Sequence, residues 1–434
     1  METLIEFFTF QYPNIKYVLF GSILLSVSSA IVGCFTFLKK KALVGDVVSH
    51  AVLPGICLAF LFSTNILGLS EKNPVILLIG AFLTGWLSII VIDNIVQKTK
   101  LKEDTATGLA LSVFFGIGIL LMTYIQKQGG SAQTGLDSFL FGKAASLVGD
   151  DLITFAVISI LLIIAVVLLF KEFTLISFDP AFAQAIGYPV KSLNLALTTL
   201  TVLAVVTGIQ AVGVVLMAAM LITPAAAARF WTDNLKKMIL LAAIFGAFSG
   251  TAGAYISFVA PAMPTGPWIV MILSLIALGS FFLSPRKGIL FKILKRQRIR
   301  KLILEENILK LFFQLGEKEK NFKQPRSIEE IIDKRAFSTA KLKIGLHTLK
   351  RQGYLTNFDK NWKLTREGFN KGKRVLKLHR LWEVYLTQYL RIAPDHVHED
   401  AERIEHIITP ELEKRLEQLL EYPDKDPHES EIPY

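Results

Sequence analysis

Residues 192–228 read SLNLALTTLTVLAVVTGIQAVGVVLMAAMLITPAAAA, an unbroken stretch from Ser192 to Ala228 without one charged side chain. At 1.5 Å per residue a single helix of that length would extend about 55 Å, against a bilayer core of about 30 Å. The stretch therefore predicts two membrane-spanning helices with a fold-back near Gly208 to Gly213. Seven further runs have the length and apolarity of a span: residues 17–38, 47–69, 75–92, 105–126, 152–170, 238–260 and 266–284. The expected total is about nine, an all-α polytopic membrane fold.

The 434 residues are 52% hydrophobic, too apolar for an ordinary soluble protein. Nearly all uninterrupted apolar runs precede Pro285, whereas residues 286–434 are charged and mixed, which predicts a membrane domain followed by a soluble one. The net charge of +11 does not by itself indicate nucleic acid, because much of it lies in short loops between spans. Basic clusters fall at Lys39 to Lys41, at Lys98, Lys100 and Lys102, near Lys171 and Lys191, at Arg229, Lys236 and Lys237, and after Arg286. These follow alternate spans, and cytoplasmic loops are the ones rich in Lys and Arg. The expectation is a multi-pass protein of the cell (inner) membrane, N-terminus outside and C-terminal region cytoplasmic. The N-terminus lacks a basic n-region, so no cleaved leader is expected. Cys34 and Cys57 lie in apolar runs and form no disulfide or metal pattern; they read as small buried hydrophobes.

Ala42 to Gly55 carries the first chemistry. Asp46 and His50 are four residues apart and so share a helix face. Ionisable groups inside a membrane are costly and usually face a pathway, and a carboxylate with an imidazole suits a borderline divalent metal. Spacing alone serves equally well for a helix-capping Asp46 and an interior His50.

The pattern Gly45-Asp46-x-x-Ser49-His50-Ala51-x-Leu53-Pro54-Gly55 resembles the signature of the zinc/manganese/iron family of ABC-transporter permeases. Two further segments are similar to that family: Phe178-Asp179-Pro180-x-x-Ala183-x-x-x-Gly187-x-Pro189, and Gln210-x-x-Gly213 through Leu221-Ile222-x-Pro224-Ala225-Ala226. The resemblance covers most of residues 15–285. It implies that Asp46 and His50 lie on the translocation path and that Phe178, Asp179, Pro180, Ala183, Gly187 and Pro189 belong to a segment that docks on an ABC ATPase subunit. It further implies an extracytoplasmic metal-binding protein and a second permease copy or paralogue as partners, with Mn²⁺, Fe²⁺ or Zn²⁺ as substrate. No G-x-x-x-x-G-K-[S/T] phosphate loop occurs in the sequence, so no nucleotide is expected to bind this chain. ATP hydrolysis would then be supplied by the partner, and the chain itself is expected to be no enzyme.

Eight of the sixteen residues 286–301 are basic, a juxtamembrane cluster suited to anionic membrane lipid. Apolar Ile299, Leu302, Ile303, Leu309, Phe312 and Phe313 predict an amphipathic helix running toward Gly316. Ser327-Ile328-Glu329-Glu330 opens a second helix with a capping-box pattern. A third over residues 338–352 has Leu342, Leu346 and Leu349 on one side and Lys341, Lys343, Lys350 and Arg351 as candidate DNA contacts. Two short strands around Asp359 to Asn361 complete a winged helix, an α+β module that binds DNA in some proteins and other proteins elsewhere.

Further on, His379 and Glu383 share a helix face, as do His398, Glu402, Glu405 and His406, a thiolate-free set suited to manganese, iron or zinc. Arg403 leaves open ordinary helix-surface pairing. Leu364-Thr365-x-x-Gly368, His379-Arg380-Leu381-Trp382-Glu383, residues 397–406 and Asp426-Pro427-His428-x-x-x-Ile432-Pro433 resemble the iron- and manganese-dependent repressor family. By matched positions, His379, Glu402, Glu405 and His406 would form a regulatory metal site, with Glu383 and His398 an ancillary one. In the first helix Glu306 can fill one further ligand position, but Leu309 occupies another. Together the readings divide the chain into a permease domain (1–285), a basic linker (286–300), a winged helix (301–370) and a helical metal-binding and dimerisation region (371–434). The function expected is a divalent-metal importer permease with a metal-sensing C-terminal domain. A membrane-tethered or proteolytically released metal-dependent DNA-binding regulator is the alternative, and a proton-coupled transporter a third reading.

Overall fold

The computed structural model describes residues 2–10, 13–65, 74–127, 142, 149–260, 263–335, 337–359, 361–392 and 408–434. It divides into two compact units, Met1–Phe291 and Lys292–Tyr434. The first is helical: α1 (Glu2–Phe8), α2 (Pro13–Leu38), α3 (Val44–Asn65), α4 (Pro74–Lys98), α5 (Glu103–Lys127), α6 (Gly149–Leu168), α7 (Phe170–Phe178), α8 (Pro180–Ala185), α9 (Val190–Val212), α10 (Val214–Trp231), α11 (Leu235–Val259) and α12 (Thr265–Leu283). Among the described residues eight helices are long and apolar enough to cross a membrane, and the shorter apolar helix Leu216–Trp231 brings the count close to the nine expected.

The uncharged stretch breaks at Gly213, whose φ of 91° is open to glycine and strained for other residues. Gly208, five residues earlier, lies so close to Met217 that an added Cβ would meet its sulfur at 2.3 Å, so the two halves pack against each other. The run expected over 152–170 ends at Leu168, and α7 starts afresh at Phe170. The span expected to Leu69 is a helix through Asn65, and residues 66–73 lie outside the described residues.

Lipid tails offer no hydrophobic drive for helix association, so close backbone approach at small residues carries the packing. A Cβ on Gly55 of α3 would lie 2.2 Å from Gly80 O of α4, and one on Gly80 would lie 2.5 Å from Gly55 O. In α11, Gly246 and Gly250 form a G-x-x-x-G stripe whose added Cβ atoms would meet Ser26 O at 2.7 Å and Ser22 O at 2.9 Å on α2. Apolar side chains such as Leu120 and Leu168, 71% and 74% exposed, cover the outside, as a lipid-facing surface requires.

The second unit begins within α13 (Ile289–Lys318) and continues through α14 (Ile328–Lys334), α15 (Thr339–Arg351), the hairpin β1 (Leu355–Phe358) and β2 (Asn361–Leu364), α16 (Arg366–Gln388) and α17 (Pro410–Leu419). Ser327 Oγ accepts the Glu330 N–H at 3.2 Å, as the capping pattern predicts. The Glu330 carboxylate pairs with buried Arg326. The strands are antiparallel with Phe358 opposite Asn361, and Asp359 takes a positive φ of 44° in the turn. Arg326 and Trp362 exchange both backbone hydrogen bonds at 2.8 Å, which extends this small sheet by a bridge. Ile308, Leu309, Phe312 and Leu315 of α13 pack with Ile331, Leu342, Leu346, Leu349 and Trp362 into one core. Ile299 and Leu302, nearer the start of that helix, are 42% and 38% exposed.

Candidate functional site

Helix α3 begins just after Lys41 and carries Asp46 in its first turn. One turn on, His50 Nε2 approaches Asp46 Oδ1 at 3.5 Å, with side-chain exposures of 19% and 40%. The imidazole packs T-shaped against Phe115 of α5, 4.9 Å between ring centroids. His50 Nδ1 is buried with no hydrogen-bond partner among the described residues, an arrangement that costs free energy unless a ligand uses it. Three other signature residues, Gly45, Ser49 and Gly55, have packing or hydrogen-bonding roles. Gly45 leaves room for Leu221 and Ala218 of α10, Ser49 Oγ donates to Gly45 O at 2.7 Å, and Gly55 admits the backbone of α4. The first and third family-like segments are thus in contact.

The second segment is a turn built from its own sequence. Asp179 caps α8 by accepting the Phe182 N–H at 2.9 Å, and Pro180 occupies the first helical turn, where a missing N–H is harmless. Tyr188 N–H donates to Ala183 O at 3.0 Å and Gly187 N–H to Gln184 O at 3.1 Å, with Gly187 at φ 90°. This pair of bonds around a left-handed glycine is a Schellman ending, and Pro189 then precedes α9. Ala183 is fully buried, whereas Phe178, Phe182 and Ile186 are 59%, 53% and 51% exposed, a large apolar area for so short a segment.

In the second unit Lys341, Lys343, Lys350 and Arg351 are all exposed on α15, opposite buried Leu342, Leu346 and Leu349. His379 and Glu383 of α16 are both buried, their Nε2 and Oε1 3.1 Å apart. A buried imidazole beside a buried carboxylate is a donor pair that suits a borderline divalent ion. Glu306 is mostly buried, with Lys371 Nζ 3.8 Å from its carboxylate. Leu309, where the repressor resemblance would put a further ligand, is wholly buried in the core, and its carbonyl packs against Gly372. His398, Glu402, Glu405 and His406 lie outside the described residues. Among the described residues no three His, Cys, Asp or Glu side chains come together as a metal site.

Glu413 of α17 holds Arg374 Nε at 2.8 Å and Lys377 Nζ at 2.7 Å on α16. Burial pushes its carboxyl up, but the two cations win and leave it below the usual glutamate value. Arg326 was missed from sequence because its carboxylate partners Glu319 and Glu330 come from two different elements.

Residues 11–284 match the ABC 3 transport family, and residues 365–434 match the metal binding and dimerisation domain of iron dependent repressors. The chain is 42% identical over 384 residues to the manganese transport system membrane protein MntC of Bacillus subtilis, covering 88% of this chain and 86% of that protein. It is 40% identical to the zinc transport system membrane protein TroC of Treponema pallidum over 68% of this chain and 97% of that one. Among solved structures, PsaBC from Streptococcus pneumoniae in complex with Fab is similar with a TM-score of 0.57 and 33% identity, covering 65% of this chain and 97% of that chain. With membrane-length helices throughout the first match and a separate unit containing the second, the chain is a multi-pass transport permease of the ABC 3 family that carries a C-terminal iron-dependent-repressor domain.

Proposed function

We propose that the chain is the permease of an ATP-driven importer of a divalent transition metal, with Asp46 and His50 on the ion's path. The observation that carries this reading is the Asp46–His50 pair, with a carboxylate and an imidazole 3.5 Å apart and a buried Nδ1 that no described residue satisfies. An ion entering a low-dielectric path loses hydration; the carboxylate supplies charge and the imidazole a borderline donor. Two protein ligands hold such an ion weakly enough for release, which transport requires as much as capture. Mn²⁺ and Zn²⁺, the ions in the relatives' names, are the leading cargoes, with Fe²⁺ the third.

The exposed apolar segment around Phe178, Phe182 and Ile186 docks on a separate ATPase subunit, which hydrolyses the nucleotide. Basic loops on alternate sides support an N-terminus outside, where a metal-binding protein delivers cargo, and a cytoplasmic C-terminal unit. A second permease copy or paralogue completes the path. The C-terminal unit senses cytoplasmic metal through His379, Glu402, Glu405 and His406, with Glu383 and His398 alongside and Glu306 as a further donor. The exposed basic face of α15 supports DNA binding as a second activity of that unit.

The test is uptake of radiolabelled Mn²⁺, Zn²⁺ and Fe²⁺ into proteoliposomes holding the permease and its ATPase. ATP-dependent accumulation of at least one is expected. Accumulation driven by a proton gradient without ATP would contradict the reading.

A further inference from the structure

The ends of α2, α4 and α9, with Val44 at the start of α3, Ile176 of α7 and Pro180 of α8, line a cavity of about 530 Å³ that neither Asp46 nor His50 lines. Its cations are Lys39, Lys41 and Lys191, and Asp93 is its single carboxylate. Lys41 is engaged, 3.8 Å from Asp93 and 3.2 Å from Glu103. Lys39 has a neutral partner, donating to the amide oxygen of Asn194. Burial, and then the nearby Lys41, push the Lys39 ammonium down to about 8, with Asp93 and Glu103 acting in the opposite sense. A cation held under that pressure gains from an added oxyanion.

The rest of the lining is mixed: Thr36, Thr198 and Thr201 bring hydroxyls and Gln97 an amide, while Trp86, Ile89 and Leu195 form an apolar wall. Leu195 is 49% exposed, so that wall continues to the surface of the unit. A transported metal ion is excluded by the surplus of positive charge. An inorganic anion would match the lysines but leave the apolar wall unused. Basic pockets between membrane helices take phosphate headgroups of anionic lipids.

We propose that this cavity binds the headgroup phosphodiester of an anionic phospholipid, with Lys39 and Lys191 facing the phosphate and the Trp86–Leu195 wall against the glycerol and upper acyl chain.

The experiment is native mass spectrometry of the delipidated full-length chain, titrated with phosphatidylglycerol, with phosphatidylcholine, and with inorganic phosphate as competitor. Phosphatidylglycerol should bind in preference to phosphatidylcholine, and millimolar phosphate should not displace it. Lys39→Gln and Lys191→Gln should each weaken retention about fivefold, and the pair roughly 25-fold. Lys39→Arg should retain most of the affinity. Lys191 is exposed, so Lys191→Gln alone reads binding without a risk to folding. Equal retention of phosphatidylglycerol by wild type and the double variant, or equal binding of both lipids, would overturn the proposal. Displacement by inorganic phosphate would reassign the site to a soluble anion and overturn the lipid as occupant.

Discussion

His379 and Glu383 meet one helical turn apart, Nε2 to Oε1 at 3.1 Å, with both side chains about 97% buried. The contact joins two positions that family resemblance places in different metal sites, so Glu383 also orients the His379 ring. Groups that orient a ligating imidazole typically contribute 10- to 100-fold to metal affinity.

Glu383→Gln in a soluble fragment of residues 300–434 should therefore weaken Mn²⁺ binding about tenfold by calorimetry. The pair Glu402→Ala/His406→Ala should weaken it more than Glu383→Ala/His398→Ala. A folded fragment that binds no metal would remove the sensing role altogether.

Glycines in the first unit are required for two different reasons, and alanine substitution separates them. A Cβ at Gly55 would lie 2.1 Å from Thr84 Oγ1 and 2.2 Å from Gly80 O, an overlap with backbone that only helix separation relieves. Gly55→Ala should cost about 1–3 kcal/mol and lower the detergent-solubilised unfolding temperature. Gly187 has open space around it but a φ of 90°, so Gly187→Ala should cost about 1–2 kcal/mol through the backbone alone. Gly108, in a helix with nothing within 4 Å, is the control, and Gly108→Ala should not destabilise. Equal unfolding temperatures for all three variants would contradict the packing described.

Much of this architecture is legible in the residues themselves because its causes are local. Span length follows from apolar runs, the break at Gly213 from a stretch too long for one helix, the Ser327 cap and the Asp359 turn from residue types at fixed offsets. The turn at 178–189 likewise encodes its own start, Asp179-Pro180, and its own stop, Gly187. What escaped is tertiary. Nothing in Gly246-x-x-x-Gly250 announces Ser22 and Ser26 as its partners, and the Lys39–Asn194 contact joins residues 155 positions apart. Leu309 reads from sequence as a missing ligand; in the fold it is a core residue of the winged helix.

Glu413 predicts an acid limit for the C-terminal unit. Arg374 and Lys377 hold its folded-state carboxyl below the ordinary value of 4.5. The stabilisation is present above the unfolded value and lost as pH falls through the folded one. Stability of the 300–434 fragment should therefore drop below about pH 4.5. Glu413→Gln should cost about 1–2 kcal/mol at neutral pH and flatten that drop. An identical acid profile in the variant would show that the α16–α17 ion pairs contribute nothing measurable.

The most direct test of the account is metal uptake by proteoliposomes containing the ATPase and either wild-type permease, Asp46→Ala or His50→Ala. If Asp46 and His50 line the proposed path, each substitution removes one of its two ligands and leaves the ion poorly compensated in a low-dielectric passage. Both variants should insert, fold and bind the ATPase as wild type does, yet lose at least about 90% of uptake, roughly the tenfold that 1.4 kcal/mol represents. Wild-type uptake by both variants would contradict the assignment and leave Asp46 and His50 as structural residues of α3.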